Sequence, residues 1–427
     1  MLSKVVVVVM VFDLCIVGAG CIGSAAARYG SNIGTVCLIG VKEPKDQSAL
    51  GERDIFGAHY DEGRITRSSD TDFVWSSLAK ESIPRYREIE HASGIHFYDE
   101  AGYIICGSAG KEYMRTNKEC AKNHGINAKL WSSKELKEHF PYLNFSESDE
   151  TIYENNNSGY ISPRRLIEAQ ITIAKKQGCR VIEEVANEVE RCVIDGEYIM
   201  CVTTESGQKI YARKVLLATG AFTSFRKLLP KYVNIDVCLR PITVARVEIS
   251  PDDYQKVSNM PSISYCGTGA ADWKTKFIRR SDNTVRFYML PPVRYPDGKY
   301  YIKLGHDSAD FPKILRTATE VKHWYCSRGD KKMIENIVTI IKDIVKGPKL
   351  SSYVGDCCVI VKTPTGRPYI DHIHSQLGVA VGGNGYAAKS CDEIGRLAAL
   401  LIMKNKWDTS LPKDEFTVKY KTEGSKL

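Results

Sequence analysis

Two adjacent cysteines in the last quarter of the chain, Cys357 and Cys358, have side chains that could do chemistry. Neighbouring side chains in a strand point to opposite faces, so one thiol could react while the other packs. Zinc sites usually separate their cysteines by two to four residues, which argues against a metal pair. The residues alone leave three interpretations open: one reactive thiol beside a packed one, two core thiols, or a strained disulfide.

A glycine-rich turn near the N-terminus could bind a dinucleotide. The segment Gly18-Ala19-Gly20-Cys21-Ile22-Gly23 has the spacing G-x-G-x-x-G and lies between an apolar run and a helix-compatible stretch. The first glycine allows the tight turn, the second lets the backbone approach a pyrophosphate, and the third lets the helix pack on the strand. The pyrophosphate then lies at the helix N-terminus, where free N–H groups favour anions. We predict dinucleotide binding, with a tight turn in an unrelated α/β fold as the alternative.

The residue that would hold the adenosine ribose departs from the usual pattern. The second strand of such a unit ends in Asp or Glu, which accepts a hydrogen bond from the ribose hydroxyl. Here Gly40 stands at that position, and Glu43 follows three residues later. The ribose is therefore held by backbone groups or by Glu43, and the sequence does not decide between them.

The elements that must position these groups follow from apolar runs and turn residues. Residues 12–39 predict a strand, the glycine turn, a helix and a second strand. A helix over 162–177 has Ser162 as its cap, Pro163 at the first helical position and Gly178 after its end. Three strand-like stretches with polar turns follow that helix.

Further segments complete this outline. A third helix follows the second glycine-rich turn and runs through 392–404. Apolar and polar residues alternate over 95–107 and 237–305, which predicts antiparallel strands. Because nucleotide-type units occur at the start, middle and end of the chain, we expect two interleaved domains.

The bulk composition is that of an ordinary globular protein. The chain has 427 residues, 43% of them hydrophobic and 26% charged, which predicts two domains or one elaborate fold. Its 14 cysteines are too sparse for a disulfide scaffold, so we expect mostly buried thiols in a reducing compartment. The net charge of +8 is dispersed, which is weak support for a nucleic-acid partner and equally compatible with an anionic substrate.

Both ends of the sequence carry features of targeting signals. The apolar run over 1–12 resembles a short signal peptide, but it is too short to span a membrane and Asp13 interrupts it. We expect an extension that leads into the first strand. The final three residues are Ser-Lys-Leu, the address read by the peroxisomal import receptor, so we predict a peroxisomal location.

Five segments, in register along most of the chain, resemble the FAD-dependent amine oxidases of the sarcosine oxidase type. They are DEGRITR (61–67), VLLATGAF (215–222), YIKLGHD (301–307), CVIVKTPTGRPYID (358–371) and VAVGGNGYAAK (379–389). The resemblance implies an α/β fold in which a Rossmann-like FAD-binding domain is interleaved with a mainly antiparallel substrate domain. It assigns 1–90, 150–235 and 355–420 to the FAD domain, 91–149 and 236–354 to the substrate domain, and 421–427 to a flexible tail.

The resemblance also implies the activity: oxidation of a secondary amino acid by FAD, reduction of O₂ to H₂O₂ and hydrolysis of the imine. A monomer without a metal, nucleic-acid or membrane partner is expected. The alternatives are a fructosyl-amino-acid oxidase, a flavin dehydrogenase with a protein acceptor, an FAD-binding protein without turnover and, least favoured, an NAD-dependent dehydrogenase. Asp307 bears on the first, because that family has an acidic residue near this place where sarcosine oxidases have histidine; His306 lies beside it.

Residue roles are carried over from the matching segments. Arg67 and Lys389 would bind the substrate carboxylate, and their charge would also favour a neutral amine. Asp307 is carried over as a further substrate-binding residue. Lys303 would assist oxygen beside flavin N5, with Arg64 near the ring. Cys358 matches the cysteine that forms a thioether with the flavin 8α-methyl group. The implied FAD-binding residues are Gly18, Gly20, Gly23, Val185, Gly220, Cys358, Gly383, Gly385 and Lys389. The N-terminus of the helix after Gly382 is expected to face the flavin pyrimidine.

Overall fold

The computed structural model describes residues 10–44, 51–269, 284–306 and 313–421. Asp307, the Ser-Lys-Leu tripeptide and most of the N-terminal apolar run lie outside these residues. The described chain is a mixed α/β structure built on two large sheets and one small sheet. The predicted fold class is confirmed.

The strands of the described residues are as follows. They are β1 (Val11–Val17), β2 (Val36–Ile39), β3 (Arg64–Thr66), β4 (Tyr98–Asp99), β5 (Tyr103–Ser108), β6 (Ala128–Trp131), β7 (Asp149–Glu154), β8 (Gly159–Ile161), β9 (Arg180–Ile182), β10 (Ala186–Ile194), β11 (Glu197–Thr204), β12 (Lys209–Leu217), β13 (Cys238–Ile249), β14 (Ser262–Gly267), β15 (Val285–Arg294), β16 (Tyr300–His306), β17 (Leu350–Lys362), β18 (Tyr369–His374) and β19 (Leu377–Val381).

The helices of the same residues are α1 (Cys21–Gly30), α2 (Phe73–Ser82), α3 (Tyr86–Ser93), α4 (Glu112–Asn123), α5 (Ser133–His139), α6 (Pro163–Lys176), α7 (Pro251–Tyr254), α8 (Ala318–Ser327), α9 (Lys331–Ile344) and α10 (Cys391–Lys404). The predicted second helix is α6, and the Ser162 side chain accepts a hydrogen bond from the backbone N–H of Arg165, as its capping role requires. None of the helices in the described ranges is long and apolar enough to cross a membrane.

The first sheet carries the glycine turn. Its strands lie in the order β10-β11-β12-β1-β2-β9, with β19 also beside β12 and β18 beside β19. Strand β1 is parallel to both β12 and β2, and its residues Leu14, Cys15 and Ile16 have no exposed surface. Central parallel strands are buried on both faces, which is why residues 14–17 are all apolar.

The second sheet forms the other side of the molecule. Its order is β17-β13-β16-β15-β14-β5-β7-β6, and its neighbours are antiparallel except for β14 and β5. The predicted antiparallel pattern is therefore wrong at that one pair. No hairpin turn joins these two strands, because β6 to β13 lie between them along the chain. A small antiparallel sheet, β3-β8-β4, places Arg64 between the two large sheets.

Helices α1 and α10 pack closely against each other at the first sheet. A Cβ atom added at Gly395 would lie 2.6 Å from the Cβ of Ala25, so only glycine allows this approach. Strands β7 and β17 belong to the second sheet, although the predicted domain limits near 150 and 355 cut through them. The residue limits of the two domains stay a prediction.

Candidate functional site

The glycine turn has the geometry that a dinucleotide cradle needs. Gly18 has φ +110°, and a Cβ atom there would lie 2.4 Å from the carbonyl oxygen of Ala218. A Cβ atom at Gly23 would lie 1.8 Å from the carbonyl oxygen of Gly18, so this glycine lets α1 pack on the turn. The nearest atom to a Cβ at Gly20 is the Nδ1 of His59, 3.9 Å away. The backbone at Gly20 is thus left open to an approaching ligand.

A cavity of about 700 Å³ begins at this turn and extends between the two large sheets. Its volume lies within the range of cofactor and ligand sites. Most residues carried over from the sequence line its wall. These are Gly18, Gly20, Arg64, Arg67, Val185, Gly220, Cys358, Gly383, Gly385 and Lys389. Gly23 packs beneath the turn, and Lys303 lines an adjoining, smaller cavity.

Close packing explains why glycine, and not an acidic residue, stands at position 40 at the end of β2. A Cβ atom at Gly40 would lie 2.5 Å from the backbone nitrogen of Ala19, so an acidic side chain there would collide with the glycine turn. Glu43 is paired with Arg164, which also donates a hydrogen bond of 2.5 Å to Glu62. Because Arg164 already engages the Glu43 carboxylate, the arrangement favours backbone groups at Gly40 and Val41 as the ribose contacts; both residues line the cavity.

The two adjacent cysteines point to different surroundings. Cys358 lines the main cavity, whereas the thiol of Cys357 donates a hydrogen bond of 3.2 Å to the carbonyl oxygen of Trp324. Both thiols are free, so the strained disulfide is absent. Burial raises the pKa of Cys358, and the nearby Arg64 and Lys303 act in the opposite direction. The electropositive surroundings expected for a reactive thiol are present, but burial outweighs them.

Arg67 and Lys389 meet at a single buried carboxylate, that of Asp70. Arg67 Nη1 lies 2.9 Å from Asp70 Oδ2, and Lys389 Nζ lies 3.1 Å from the same oxygen. Burial favours the neutral acid, yet the two cations hold the pKa of Asp70 below its usual range. Burial lowers the pKa of Lys389, and Asp70 opposes that shift. Two cations thus share Asp70 as their direct anionic partner, and both Arg67 and Lys389 line the cavity.

The sequence analysis did not identify Asp70. The polar run Ser68-Ser69-Asp70, directly after Arg67, could have indicated a partner for that cation. All three of these polar residues are buried. The carboxylate of Glu154 accepts hydrogen bonds from the backbone N–H groups of Ser68 and Ser69, at 2.7 and 3.1 Å. Strand β7 therefore fixes the loop that carries the two cation contacts.

Lys303 and Arg64 share a second buried carboxylate, that of Asp61. Both cations donate to Asp61 Oδ2, while Oδ1 accepts from the Tyr295 hydroxyl at 2.7 Å and from the Glu62 N–H at 2.8 Å. Lys303 Nζ also donates to the carbonyl oxygen of Gly63 at 3.0 Å. Burial and Arg64 lower the pKa of Lys303 to about 8, whereas Asp61 raises it.

Lys303 lines a second cavity of about 60 Å³. The two cavities share Arg64, Tyr288 and Cys358 in their walls. Lys303 therefore lies next to this shared wall, in the second cavity. Asp356 and Arg246 also line the second cavity, with Arg246 Nη2 4.0 Å from Asp356 Oδ2.

The predicted orientation of the last helix toward the flavin stays a prediction. The wall of the cavity ends at Lys389, in the short 3₁₀ turn Ala387–Ser390, before α10 begins. Asp392 and Glu393 occupy the first turn of α10, and Arg85 donates to them at 2.7 and 2.6 Å. These acids lie near the positive end of the helix, and residues 382–389 directly before it form the wall.

Sequence reasoning also missed wall residues on β15 and α4. Arg286 and Tyr288 lie two residues apart on one face of β15 and both line the cavity. The Arg286 guanidinium lies 5.7 Å from the centre of the Tyr113 ring. The alternating pattern of β15 could have indicated this face. Over the described ranges, no group of three or more His, Cys, Asp or Glu side chains could hold a metal ion.

The described residues fit FAD, on the evidence of the glycine cradle, the long cavity and the cations along it. Comparison with known proteins agrees with that fit. The family model "DAO: FAD dependent oxidoreductase" matches residues 13–401. The fold of this family implies FAD as the cofactor.

Individual relatives cover most of the chain. Monomeric sarcosine oxidase of Arthrobacter sp. (strain TE1826) is 23% identical over 416 residues, which cover 92% of this chain and 93% of that protein. Peroxisomal sarcosine oxidase of Homo sapiens is 18% identical over 357 residues, covering 82% of this chain and 83% of that protein.

A solved structure shows the same fold. NikD, described as an unusual amino acid oxidase essential for nikkomycin biosynthesis, superposes with a TM-score of 0.71 at 16% identity and covers 97% of this chain and 99% of its own. The family match extends over nearly the whole chain, both large sheets included. The chain therefore belongs to the family of FAD dependent oxidoreductases, as an enzyme that acts on CH–NH donors.

Proposed function

We propose that the protein is an FAD-dependent oxidase of secondary amino acids, such as N-methyl or cyclic amino acids. The observation that carries this proposal is the pairing of Arg67 and Lys389 on one carboxylate, which places two cationic side chains together on the cavity wall. An amino acid's carboxylate is the ligand that suits such a group, because the planar guanidinium of Arg67 can bind both of its oxygens. The relatives named sarcosine oxidase support the same substrate class.

The two cations would also prepare the amine for reaction. A positive charge disfavours a second one nearby, so Arg67 and Lys389 lower the pKa of an amine bound beside them. The neutral amine has the lone pair that oxidation requires. When bound, FAD supplies a two-electron acceptor next to the substrate C–H bond. The amine loses two electrons and two protons to become an imine, O₂ gains them as H₂O₂, and water hydrolyses the imine.

Lys303 is the residue we assign to oxygen reduction. Its ammonium group is buried behind Arg64, where a positive charge stabilises the negative charge that develops as oxygen accepts electrons. This assignment favours an oxidase over a dehydrogenase that passes electrons to a protein. Oxygen uptake by the reduced enzyme without any added acceptor would support it, and dependence on an added acceptor would contradict it.

We further propose that Cys358 binds FAD covalently through a thioether at the 8α-methyl group. The position of its side chain on the cavity wall supports this, since Cys357 points elsewhere. The C–S bond would replace the thiol S–H bond and one methyl C–H bond of FAD. O₂ would accept the two electrons and two protons released by this oxidation and become H₂O₂.

A substrate panel tests the proposed class. Purified holoenzyme is assayed for O₂ uptake and H₂O₂ formation with sarcosine, pipecolate and fructosyl-valine. We expect turnover with one of the first two. Turnover of fructosyl-valine alone would make the protein a fructosyl-amino-acid oxidase, and failure of every amine to bleach the flavin would leave an FAD-binding protein without turnover. Size-exclusion chromatography tests the proposed monomer, which the relative named monomeric sarcosine oxidase supports.

The peroxisomal location is also a proposal. The Ser-Lys-Leu tripeptide and the human relative named peroxisomal support it. Hydrogen peroxide is the expected product, and a peroxisome is a suitable compartment for it. A fluorescent protein fused before the chain is expected to co-localise with a peroxisomal marker and to become diffuse when Ser-Lys-Leu is deleted; an unchanged distribution would contradict the proposal.

A further inference from the structure

The Asp61 carboxylate is held by four donors on three parts of the fold. Lys303 comes from β16, Tyr295 follows β15, and Arg64 and the Glu62 N–H belong to the chain around β3. The residue is 6% exposed. A carboxylate engaged on both oxygens cannot rotate without breaking several hydrogen bonds at once. It therefore fixes the position of whatever donates to it.

Lys303 depends on this carboxylate for both its position and its charge. Its Nζ has three N–H donors, of which Asp61 and the Gly63 carbonyl take two. Within the described part of the chain no further acceptor takes the third, and Lys303 lines the second cavity. That cavity lies directly behind the wall formed by Arg64, Tyr288 and Cys358.

The charges around Lys303 come from every element that packs against it. Strand β13 contributes Arg246, β15 contributes Tyr288, and β17 contributes Asp356 and Cys358. The chain before and within β3 contributes Tyr60, Asp61 and Arg64, and the end of α8 contributes Tyr325 and the following Arg328. Asp356 lies nearest to Arg246 among these cations, and its pKa is raised by burial. Asp61 is thus the anion that directly contacts Lys303 and offsets the neighbouring Arg64.

We propose that Asp61 is a positioning residue for oxygen reduction, whose carboxylate keeps the Lys303 side chain protonated and fixed at the wall between the two cavities. The inference rests on the proposed role of Lys303. Reduction of O₂ to H₂O₂ takes up two electrons and two protons, and the ammonium group supplies charge without being consumed. Without Asp61, Arg64 would face Lys303 with no intervening anion, and Lys303 would release its proton.

The test measures oxygen reduction without using a substrate amine. Holoenzyme is reduced with dithionite under argon, mixed with O₂ solutions, and followed by flavin absorbance from pH 6 to pH 10. In the wild type we expect the rate constant to be high at low pH and to fall as pH rises through about 8, where Lys303 loses its proton. In Asp61→Asn we expect the midpoint of this pH profile to move down by about one to three pH units. At pH 7 the rate constant for oxygen reduction then falls by roughly two-fold to ninety-fold.

The visible spectrum of the resting oxidised enzyme gives an independent readout. A charge beside the flavin shifts its absorption, so the wild type should show a spectral transition near the same pH as the rate, and Asp61→Asn should show it at lower pH. Asp356→Asn is the matched control, because it removes a carboxylate from the same cavity that does not contact Lys303. We expect its midpoint to move by less than half as much as that of Asp61→Asn. Asp61→Glu, which keeps the charge, should restore the wild-type midpoint.

Two results would overturn the inference. One is an Asp61→Asn enzyme whose midpoints equal those of the wild type, which would leave the oxidase proposal intact and assign Asp61 a structural role. The other uses Lys303→Met and does not depend on the folding of any Asp61 variant: if the pH dependence of oxygen reduction persists there, Lys303 is not the titrating group. Because dithionite replaces the amine, neither result depends on which amino acid the enzyme oxidises.

Discussion

The Nζ atom of Lys389 lies 3.1 Å from the Oδ2 atom of Asp70, inside the wall of the main cavity. The same oxygen atom lies 2.9 Å from Arg67 Nη1. Asp70 therefore holds together two cations that would otherwise repel each other in a buried place. A carboxylate that enters the cavity competes with Asp70 for the same donors, which links the stability of this site to ligand binding.

Replacement of Asp70 by Asn should strongly destabilise the protein. Asp70 is 1% exposed, and removal of one partner of a buried ion pair costs about 3–5 kcal/mol because charges are left uncompensated. We expect the free energy of unfolding, measured by urea denaturation at pH 7, to fall by about that amount. Acetate should then raise the unfolding midpoint of Asp70→Asn more than that of the wild type, since its carboxylate can replace the lost anion.

Asp408→Asn provides the comparison for that variant. Asp408 pairs with Arg396 and Lys406 but is half-exposed, so its removal should change the free energy of unfolding far less than removal of Asp70 does. Equal effects of the two substitutions would show that the Arg67–Asp70–Lys389 group contributes no more than a surface ion pair.

The lowered pKa of Asp70 predicts how the stability of the protein depends on pH. The pKa of Asp70 is held below its ordinary value of 3.8, so the folded state binds this proton less readily than the unfolded chain. The stabilisation from Asp70 is therefore fully present above about pH 4 and is lost as pH falls through the lower pKa of the folded state. We expect the wild-type free energy of unfolding to decline from pH 4 to pH 2. The decline should be shallower in Asp70→Asn; parallel curves would contradict this assignment.

Arg67→Lys tests whether the planar guanidinium binds the substrate carboxylate. Lysine keeps the charge but presents a single point donor, so one charge-assisted hydrogen bond to the substrate is lost, worth about 1.5–3 kcal/mol. We expect kcat/KM for the accepted amino acid to fall by roughly ten- to one-hundred-fold, mainly through KM. Arg165→Lys, at a half-exposed residue of α6, should leave both constants unchanged. A fall in kcat with an unaltered KM would argue against carboxylate binding by Arg67.

Much of the fold followed from local patterns in the sequence. The glycine turn, α6 with its Ser162 cap and the central strand β1 were predicted because spacing, capping and apolar runs are encoded within a few residues. The parallel pairing of β14 with β5 was not, since it depends on the path that the chain takes between them.

The buried carboxylates at the site were missed for a related reason. Asp61 meets Lys303 from 242 residues away, and an isolated Asp in a polar stretch carries no sign of burial. The resemblance of the matching segments identified the cations. The anions that balance them became visible only in the structure, where the loops around β3 pack against the second sheet. The resemblance transferred the residues that its motifs name, and the buried partners of those residues required the folded structure.

Acid denaturation distinguishes the roles of the two adjacent cysteines, Cys357 and Cys358. Denaturation of the holoenzyme in acid should leave yellow colour in the protein pellet if Cys358 binds FAD covalently. Cys358→Ser should release the colour into the supernatant, because the hydroxyl of serine cannot form the thioether. Cys357→Ser is the matched control: its side chain is of the same kind and one residue away, but its thiol hydrogen bonds to Trp324 behind the wall, so the colour should stay in the pellet. Colour in the supernatant of the wild type would show that FAD is bound without a covalent bond. Release of colour from Cys357→Ser but not from Cys358→Ser would assign the bond to Cys357.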